Sequence, residues 1–490
     1  MKKRIIVLFC MLFIVGSSLS GCSGKNSLQS GQTTGITEQE MSVESENQSV
    51  AEETTQEETR IYPIPEWTKN AVIYEVNVRQ YTKEGTFAAF GEHLDRLREM
   101  GITTLWFMPV YPIAETERLG TLGSYYSISD YTTVNEEFGT AEDFRQLVET
   151  AQGKGFTVIM DWVANHTGWD HAWITEHSDW YLQQDGQIVS PPGMGWNDVA
   201  QLNYESKELR TAMISAMAYW VTEFDIDGFR CDYAAGVPRD FWEEARAELS
   251  QYKELYMLAE DNSSKALLVE AFDSNYNWKL YDGMRLVAKG AKRAEYLKGM
   301  IQTNLPEGTF SMNFLDNHDK NSWEGTMEEL FGKDAIGALT TLIYTIPGIP
   351  LVYSGQEEGL VKSLAFFEKD EIIWQDYEYV PLLRSLAKIR GENEALYSGS
   401  YGGTIEFLTT GSENVLCYKR VKGESTILVL LNLSKDEQQV IMEEYYEDAI
   451  ICLKGDAEGM KEVSKDSTLM GDGKESITLA PWEYMVAKIE

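Results

Sequence analysis

Asp225-Ile226-Asp227-Gly228-Phe229-Arg230-Cys231-Asp232 is the stretch on which the fold turns. Its tail alternates, so as a strand it sends Gly228, Arg230 and Asp232 to one face and Phe229 and Cys231 to the other. An arginine and an aspartate two residues apart on one face can form a charge-assisted contact. The guanidinium is expected to lower the pKa of Asp232 and keep its carboxylate ionised. An ionised carboxylate at a strand end is a candidate covalent nucleophile. In isolation the same residues also suit an ordinary ion pair at the edge of a sheet.

Outward from this stretch the chain alternates short apolar strands with amphipathic helices. Strands are predicted over residues 71–78, 102–109, 156–161, 256–259, 271–275, 311–315 and 350–353, which with the opening stretch makes eight. Helices are predicted over 87–100, with Phe90, Leu94 and Leu97 on one face and Gly101 as the stop, and over 142–154 and 209–224. This order implies an α/β fold, a closed parallel (β/α)8 TIM barrel. An open doubly wound sheet is the alternative, but no Gly-rich phosphate loop follows the first strand. A segment rich in Trp, Gly and Pro interrupts the barrel at about 162–203. After residue 394 the strand-like runs 415–419, 426–432 and 485–489 have no helices between them, which predicts a small antiparallel β-sandwich. The barrel is thus placed at 62–393 and the sandwich at 394–490.

Residues 1–22 read as a targeting signal. Lys2, Lys3 and Arg4 precede an apolar run, 5–15, that is too short to span a bilayer comfortably. Leu19-Ser20-Gly21-Cys22 then resembles a bacterial lipobox, which implies cleavage before Cys22 and a lipid on its thiol. Residues 23–61 are dominated by Ser, Thr, Gln and Glu, the composition of a flexible tether. A net charge of −36 excludes phosphate-binding surfaces and therefore nucleic acid, and it suits a neutral ligand such as a sugar. The only membrane contact expected is the lipid at Cys22. Cys231 is expected to be buried and inert against the helices, while Cys417 and Cys452 are free to pair or not.

Active groups in such barrels stand at the C-terminal ends of the strands. Those ends carry Asp161 with Asn165 and His166, then Arg230 with Asp232, then Glu260, then His318 with Asp319. Two of the chain's five histidines fall in this set. The segments Asp161-Trp162-Val163-Ala164-Asn165-His166, Gly228-Phe229-Arg230-Cys231-Asp232, Leu258-Ala259-Glu260 and Phe314-Leu315-Asp316-Asn317-His318-Asp319 occur in the order seen in the α-amylase family of glycoside hydrolases. Flanking segments agree: 101–109, Tyr126-Ser127-Ile128-Ser129-Asp130-Tyr131, Phe138-Gly139-Thr140 and 348–357. Over residues 62–400 the chain resembles that family, and the sandwich resembles its C-terminal domain.

The resemblance implies a retaining hydrolase of α-1,4-glucans such as starch or maltodextrin. Asp232 would be the nucleophile, Glu260 the general acid and Asp319 the third carboxylate, gripping two sugar hydroxyls. His166 and His318 would hydrogen-bond the same sugar, Tyr126 would stack on it, and Asp161 would orient the Arg230–Asp232 pair. The insertion corresponds to domain B of the family. Most of its aromatics (Trp169, Trp173, Trp180, Tyr181) suit a small core of their own, with Trp196 a candidate for sugar contact. Gly236 stands where many relatives have a histidine whose carbonyl helps bind calcium. Asn165 matches another calcium ligand, but no Asp-rich loop accompanies it; no cofactor is therefore expected. An α-1,6-acting or transglycosylating enzyme shares the same motifs. A non-catalytic glucan binder would have lost Asp232 or Glu260.

Overall fold

The computed structural model describes residues 60–489 save 262, 303, 443–445, 447–448, 465–466 and 470–475. The targeting signal, Cys22 and nearly all of the tether lie outside the described residues. Eight strands close into a parallel barrel: β1 (Ile73–Val76), β2 (Thr104–Phe107), β3 (Thr157–Trp162), β4 (Gly228–Cys231), β5 (Tyr256–Ala259), β6 (Ser274–Tyr276), β7 (Phe310–Asn313) and β8 (Ile349–Tyr353). Every residue of these strands is buried except the half-buried Thr157, the composition a sheet needs when helices cover it outside and side chains fill it inside. The predicted eight strands are all present, and the barrel closes where β8 pairs with β1, Ile73 opposite Leu351.

Local chemistry moves some boundaries. The single helix expected over 87–100 is two, Phe87–Gly91 and Leu94–Met100. Thr86 caps the first through its side chain, and Gly91, a poor helix former, ends it. The strand expected at 271–275 begins instead at Ser274. Asp273, just ahead of it, accepts the Met257 backbone N–H at 2.8 Å and pairs with Arg60 and Arg246.

The insertion is tied together by a two-stranded ladder, His166–Gly168 against Val199–Gln201. Trp180 and Tyr181 are buried in it, Trp173 packs on Trp180 with centroids 5.1 Å apart, and His177 stacks on Trp180. These are the residues of a small core. Trp196 stays half-buried and turns toward the barrel mouth.

Beyond the helix Val380–Glu392 the chain forms β9 (Thr404–Phe407), β10 (Val415–Lys422), β11 (Ser425–Asn432), β12 (Gln438–Val440), β13 (Ala449–Asp456), β14 (Gly459–Lys461), β15 (Ile477–Leu479) and β16 (Tyr484–Ile489). Six form an antiparallel sheet in the order β9-β10-β11-β16-β13-β14, and β12 pairs with β15. The sheet docks on the barrel helix Ile336–Thr345: Tyr418 Oη lies 2.5 Å from Thr345 Oγ1, and Arg420 donates to the Thr345 carbonyl at 2.8 Å. Barrel and sheet form one compact unit. Cys417 and Cys452 are both free thiols. They lie on β10 and β13 with two strands between, roughly 14 Å at one strand spacing each, beyond disulfide reach. Cys231 is buried, and burial pushes its thiol well above the ordinary value.

Candidate active site

Strand register assembles the site. In the β3–β4 pairing Asp161 lies opposite Arg230. The next backbone step carries Asp232, whose N–H donates to the Trp162 carbonyl at 2.9 Å, and Glu260, whose N–H donates to the Cys231 carbonyl at 3.0 Å. Three acids from three neighbouring strand ends thereby converge on one guanidinium. Arg230 Nη1 lies 2.9 Å from both Asp161 Oδ1 and Asp232 Oδ1, and Nη2 lies 2.9 Å from Glu260 Oε2. The last is an ion-pair contact without hydrogen-bond alignment. Arg230 Nε donates to Tyr276 Oη at 3.0 Å, and the guanidinium carbon stands 5.2 Å from the Trp106 ring centroid. With no exposed surface, this arginine is held from every side.

Burial decides the protonation states. The carboxyl of Asp232 is pushed up to about 6, by burial first; Arg230 pulls it down, while Asp161 and Asp319 add to the rise. The expectation that the guanidinium would set a low value is therefore corrected: desolvation outweighs it. Asp161 is likewise raised to about 6, by burial against the pull of Arg230 and His318. Glu260 is pushed up to about 7 by burial, with Asp232 and Asp319 adding to the rise. Three carboxyls around one guanidinium share a proton most cheaply on the group with the highest pKa, and that is Glu260. Its Oε2 also accepts the Tyr233 N–H at 2.9 Å. Tyr233 holds a left-handed backbone (φ 41°), a strained turn that aims this N–H at the acid. The side chains of Asp232 and Glu260 remain 13% and 17% exposed, open to the barrel mouth.

The two histidines differ in charge. His166 is buried and pulled down to about 4; its Nδ1 lies 3.1 Å from Asn165 Nδ2 and accepts from it, so Nε2 carries the proton of a neutral ring. His318 sits in a relay. Its Nδ1 is 2.5 Å from Glu75 Oε1, and its Nε2 is 2.8 Å from Tyr126 Oη, which donates to Asp161 Oδ2 at 3.0 Å. The single Tyr126 proton is committed to Asp161, so Nε2 must donate to the tyrosine oxygen, and Nδ1 must donate to the carboxylate. Both nitrogens are protonated. Burial opposes that charge, but Asp319 and Glu75 overcome it and hold His318 at about 9. Asp319 stands 3.6 Å from His318 Nε2 with 39% of its side chain exposed, the most open of the acids.

The structure thus brings together all eight predicted barrel residues: Tyr126, Asp161, His166, Arg230, Asp232, Glu260, His318 and Asp319. Sequence reasoning missed Glu75, Trp106 and Tyr276. Glu75 left a signal, a lone acid inside an apolar strand, since buried carboxylates are rare unless paired. Trp106 donates to Asp161 Oδ2 at 3.3 Å. Trp196 borders the acid side of the mouth, its ring 5.6 Å from both His166 and Tyr233.

Asn165 Oδ1 accepts from Gln201 Nε2 at 3.2 Å, and a Cβ at Gly236 would fall 2.2 Å from the Tyr233 ring. Among the described residues no group of three His, Cys, Asp or Glu side chains is placed to hold a metal.

Residues 53–380 match the family model described as the alpha amylase catalytic domain. The curated relative "Alpha-amylase MalA" of Haloarcula japonica is 26% identical over 78% of this chain and 58% of its own length. The chain thus spans well under two thirds of that relative. A maltogenic alpha-amylase of Bacillus acidopullulyticus is 25% identical over 77% of this chain and 71% of its own. Among solved structures, the noncanonic maltogenic alpha-amylase AmyB of Thermotoga neapolitana superposes with a TM-score of 0.74 at 29% identity, over 86% of this chain and 99% of that one. With the family model covering most of the barrel and the strand-end acids gathered on Arg230, the chain belongs to the α-amylase family of glycoside hydrolases.

Proposed function

We propose that this chain hydrolyses α-1,4-glucosidic bonds in starch, maltodextrins or related α-glucans with retention of configuration, through a covalent glycosyl-enzyme. The observation that carries the reading is the single Arg230 guanidinium touching both Asp232 and Glu260, one carboxyl mostly ionised and the other poised near neutrality. That pair supplies what a retaining glycosidase requires, a nucleophile and an acid flanking one bond. Asp232 attacks the anomeric carbon as Glu260 gives its proton to the departing glycosidic oxygen. Glu260, now a carboxylate, takes a proton from water, and the hydroxide equivalent displaces Asp232 to release the sugar. Asp319 holds sugar hydroxyls while the ring acquires oxocarbenium character, with the His318 imidazolium 3.6 Å away keeping it charged and in place; His166 donates to the same sugar through Nε2, and Tyr126 lines its face. Asp161 keeps Arg230 in register. No cofactor enters the scheme.

The enzyme acts outside the cell, carried on the membrane face by a lipid at Cys22. Arg60 pairs with Asp273 at 2.8 Å, so the folded part starts at the end of the barrel where strands begin. The active site opens at the other end. An α-1,6-acting enzyme or a transglycosylase would share the chemistry, the latter by passing the intermediate to a sugar instead of water. The test is incubation with a maltooligosaccharide series and with panose, read by proton NMR. Hydrolysis of α-1,4 bonds with the α-anomer released first supports the proposal, and a β-anomer first product overturns it. Exchange of Cys22 for serine should release the protein from the membrane fraction.

A further inference from the structure

The helix layer around the barrel thins at one place. Helices of 18, 11, 11 and 10 residues follow β3, β4, β6 and β7, while the described residues after β5 hold a single turn, Leu267–Glu270. A cavity of about 230 Å³ lies against β6 and β7 there. Asn275 and Ser311 line it from the strands, and Lys265, Lys279, Gln302 and Asn304 line it from the segments around them.

The strand faces turned to this cavity are polar where their neighbours are apolar. Tyr276 points into the barrel, its Oη accepting from Arg230 Nε, so Asn275 and Asn277 on either side of it point outward. Ser311 lies opposite Asn275 in the β6–β7 pairing. The outward residues of the neighbouring strands are Phe229 and Cys231 on β4 and Met257 and Ala259 on β5. A buried amide is costly unless its donors and acceptor are paired. Asn277 meets that condition: its Nδ2 donates to Asn313 Oδ1 at 2.9 Å, and its Oδ1 accepts the Leu280 N–H at 3.3 Å. Asn275 does not. It is only 5% exposed, and Ser311 Oγ donates to its Oδ1 at 2.8 Å, but its Nδ2 meets no acceptor among the described residues and is left to the cavity.

Charge gives the sign of the ligand. The chain carries 78 acidic against 42 basic residues, yet among the described residues no acidic side chain lines this cavity. Lys265 donates to the Asn304 carbonyl, and neither lysine pairs with a described carboxylate. Lys279 stands in the first turn of the helix Trp278–Ala288, where the helix dipole disfavours a cation and favours an anion. Two ammoniums, a helix start and an unpartnered amide N–H all offer positive charge or protons. We propose that this cavity binds a compact oxyanion, a carboxylate or a phosphate, with one oxygen on Asn275 Nδ2 and its charge shared by Lys265 and Lys279. The catalytic acids repel such a ligand, so the two sites differ in chemistry as well as in place.

The test is isothermal titration calorimetry of the full chain at constant ionic strength, with sodium phosphate and, separately, sodium citrate. Glucose serves as the uncharged control. At least one anion should bind with one-to-one stoichiometry, and the stronger of the two identifies the class. Lys279→Glu should weaken that binding roughly tenfold. Asn275→Asp keeps the acceptor for Ser311 but puts a carboxylate oxygen where the free N–H stood, and should weaken it by a similar factor. Melting temperature shows whether each variant folds. If Asn275→Asp does not, the exposed Lys279→Glu decides alone. No binding of either anion, or binding that Lys279→Glu leaves unchanged, overturns the site. Glucose binding that the same variants abolish would overturn its anionic character.

Discussion

Exchange of Glu75 for glutamine tests the relay behind the site while leaving Asp232, Glu260 and Asp319 in place. Glu75 is fully buried on β1 and holds His318 Nδ1 at 2.5 Å. Glutamine keeps the shape and an acceptor oxygen but removes the charge. Near pH 6 stability should fall, because the His318 imidazolium loses its charged partner and the amide nitrogen finds none where Glu75 Oε2 stood. A hydrogen bond to a charged group contributes about 1.5–3 kcal/mol, which at 1.36 kcal/mol per pKa unit is a fall of one to two units. His318 should then titrate near 7 to 8 instead of at about 9. Because its folded pKa lies above the free value, its imidazolium stabilises wild type fully below about pH 6.5, and that contribution fades as pH rises through 9. With only five histidines in the chain, isotope-edited NMR can follow each ring through pH 5–10. The variant should also lose about tenfold in kcat/KM on maltoheptaose near pH 8, where His318 is partly neutral, and less at pH 6. A His318 already neutral at pH 7 in wild type, or a midpoint unmoved by the exchange, would refute the relay.

Glu260→Gln copies the protonated form of the acid, so folding should survive while hydrolysis of maltoheptaose falls about a thousandfold. Thermal melting and initial rates report the two effects, and a variant with near-normal turnover would remove Glu260 from its role. The pH profile of kcat/KM should be a narrow bell. Asp232 must be charged, which fails as pH drops below about 6, and Glu260 must be protonated, which fails as pH rises above about 7. Both limbs belong to the coupled cluster, and a plateau extending past pH 9 would contradict it. Dialysis against EDTA should leave activity and melting temperature unchanged, because Gln201 already occupies the Asn165 amide; a loss restored by calcium would contradict this.

The barrel was legible because buried parallel strands are short apolar runs, and the acids were legible because they break those runs where each strand ends. What escaped depends on contacts distant in sequence. Glu75 gains its meaning only when closure of the barrel brings β1 within reach of His318, some 240 residues later. The net pKa of Asp232 depends on how completely the site is desolvated, which residue types alone do not state. The Asp273 pairs that delay β6 need Arg60 and Arg246 in place. Cys417 and Cys452 show the converse, since adjacency in a list of cysteines says nothing about the two strands set between them.

The account rests on a sugar bonded for a time to Asp232, and mass spectrometry can weigh that bond. Glu260→Gln protein incubated with α-maltosyl fluoride, whose leaving group needs no acid, should accumulate the adduct for want of a base to release it. Digestion should then find one maltosyl increment on the peptide that carries Asp232. Fluoride released with no adduct on that peptide, or an increment on another residue, would contradict the mechanism.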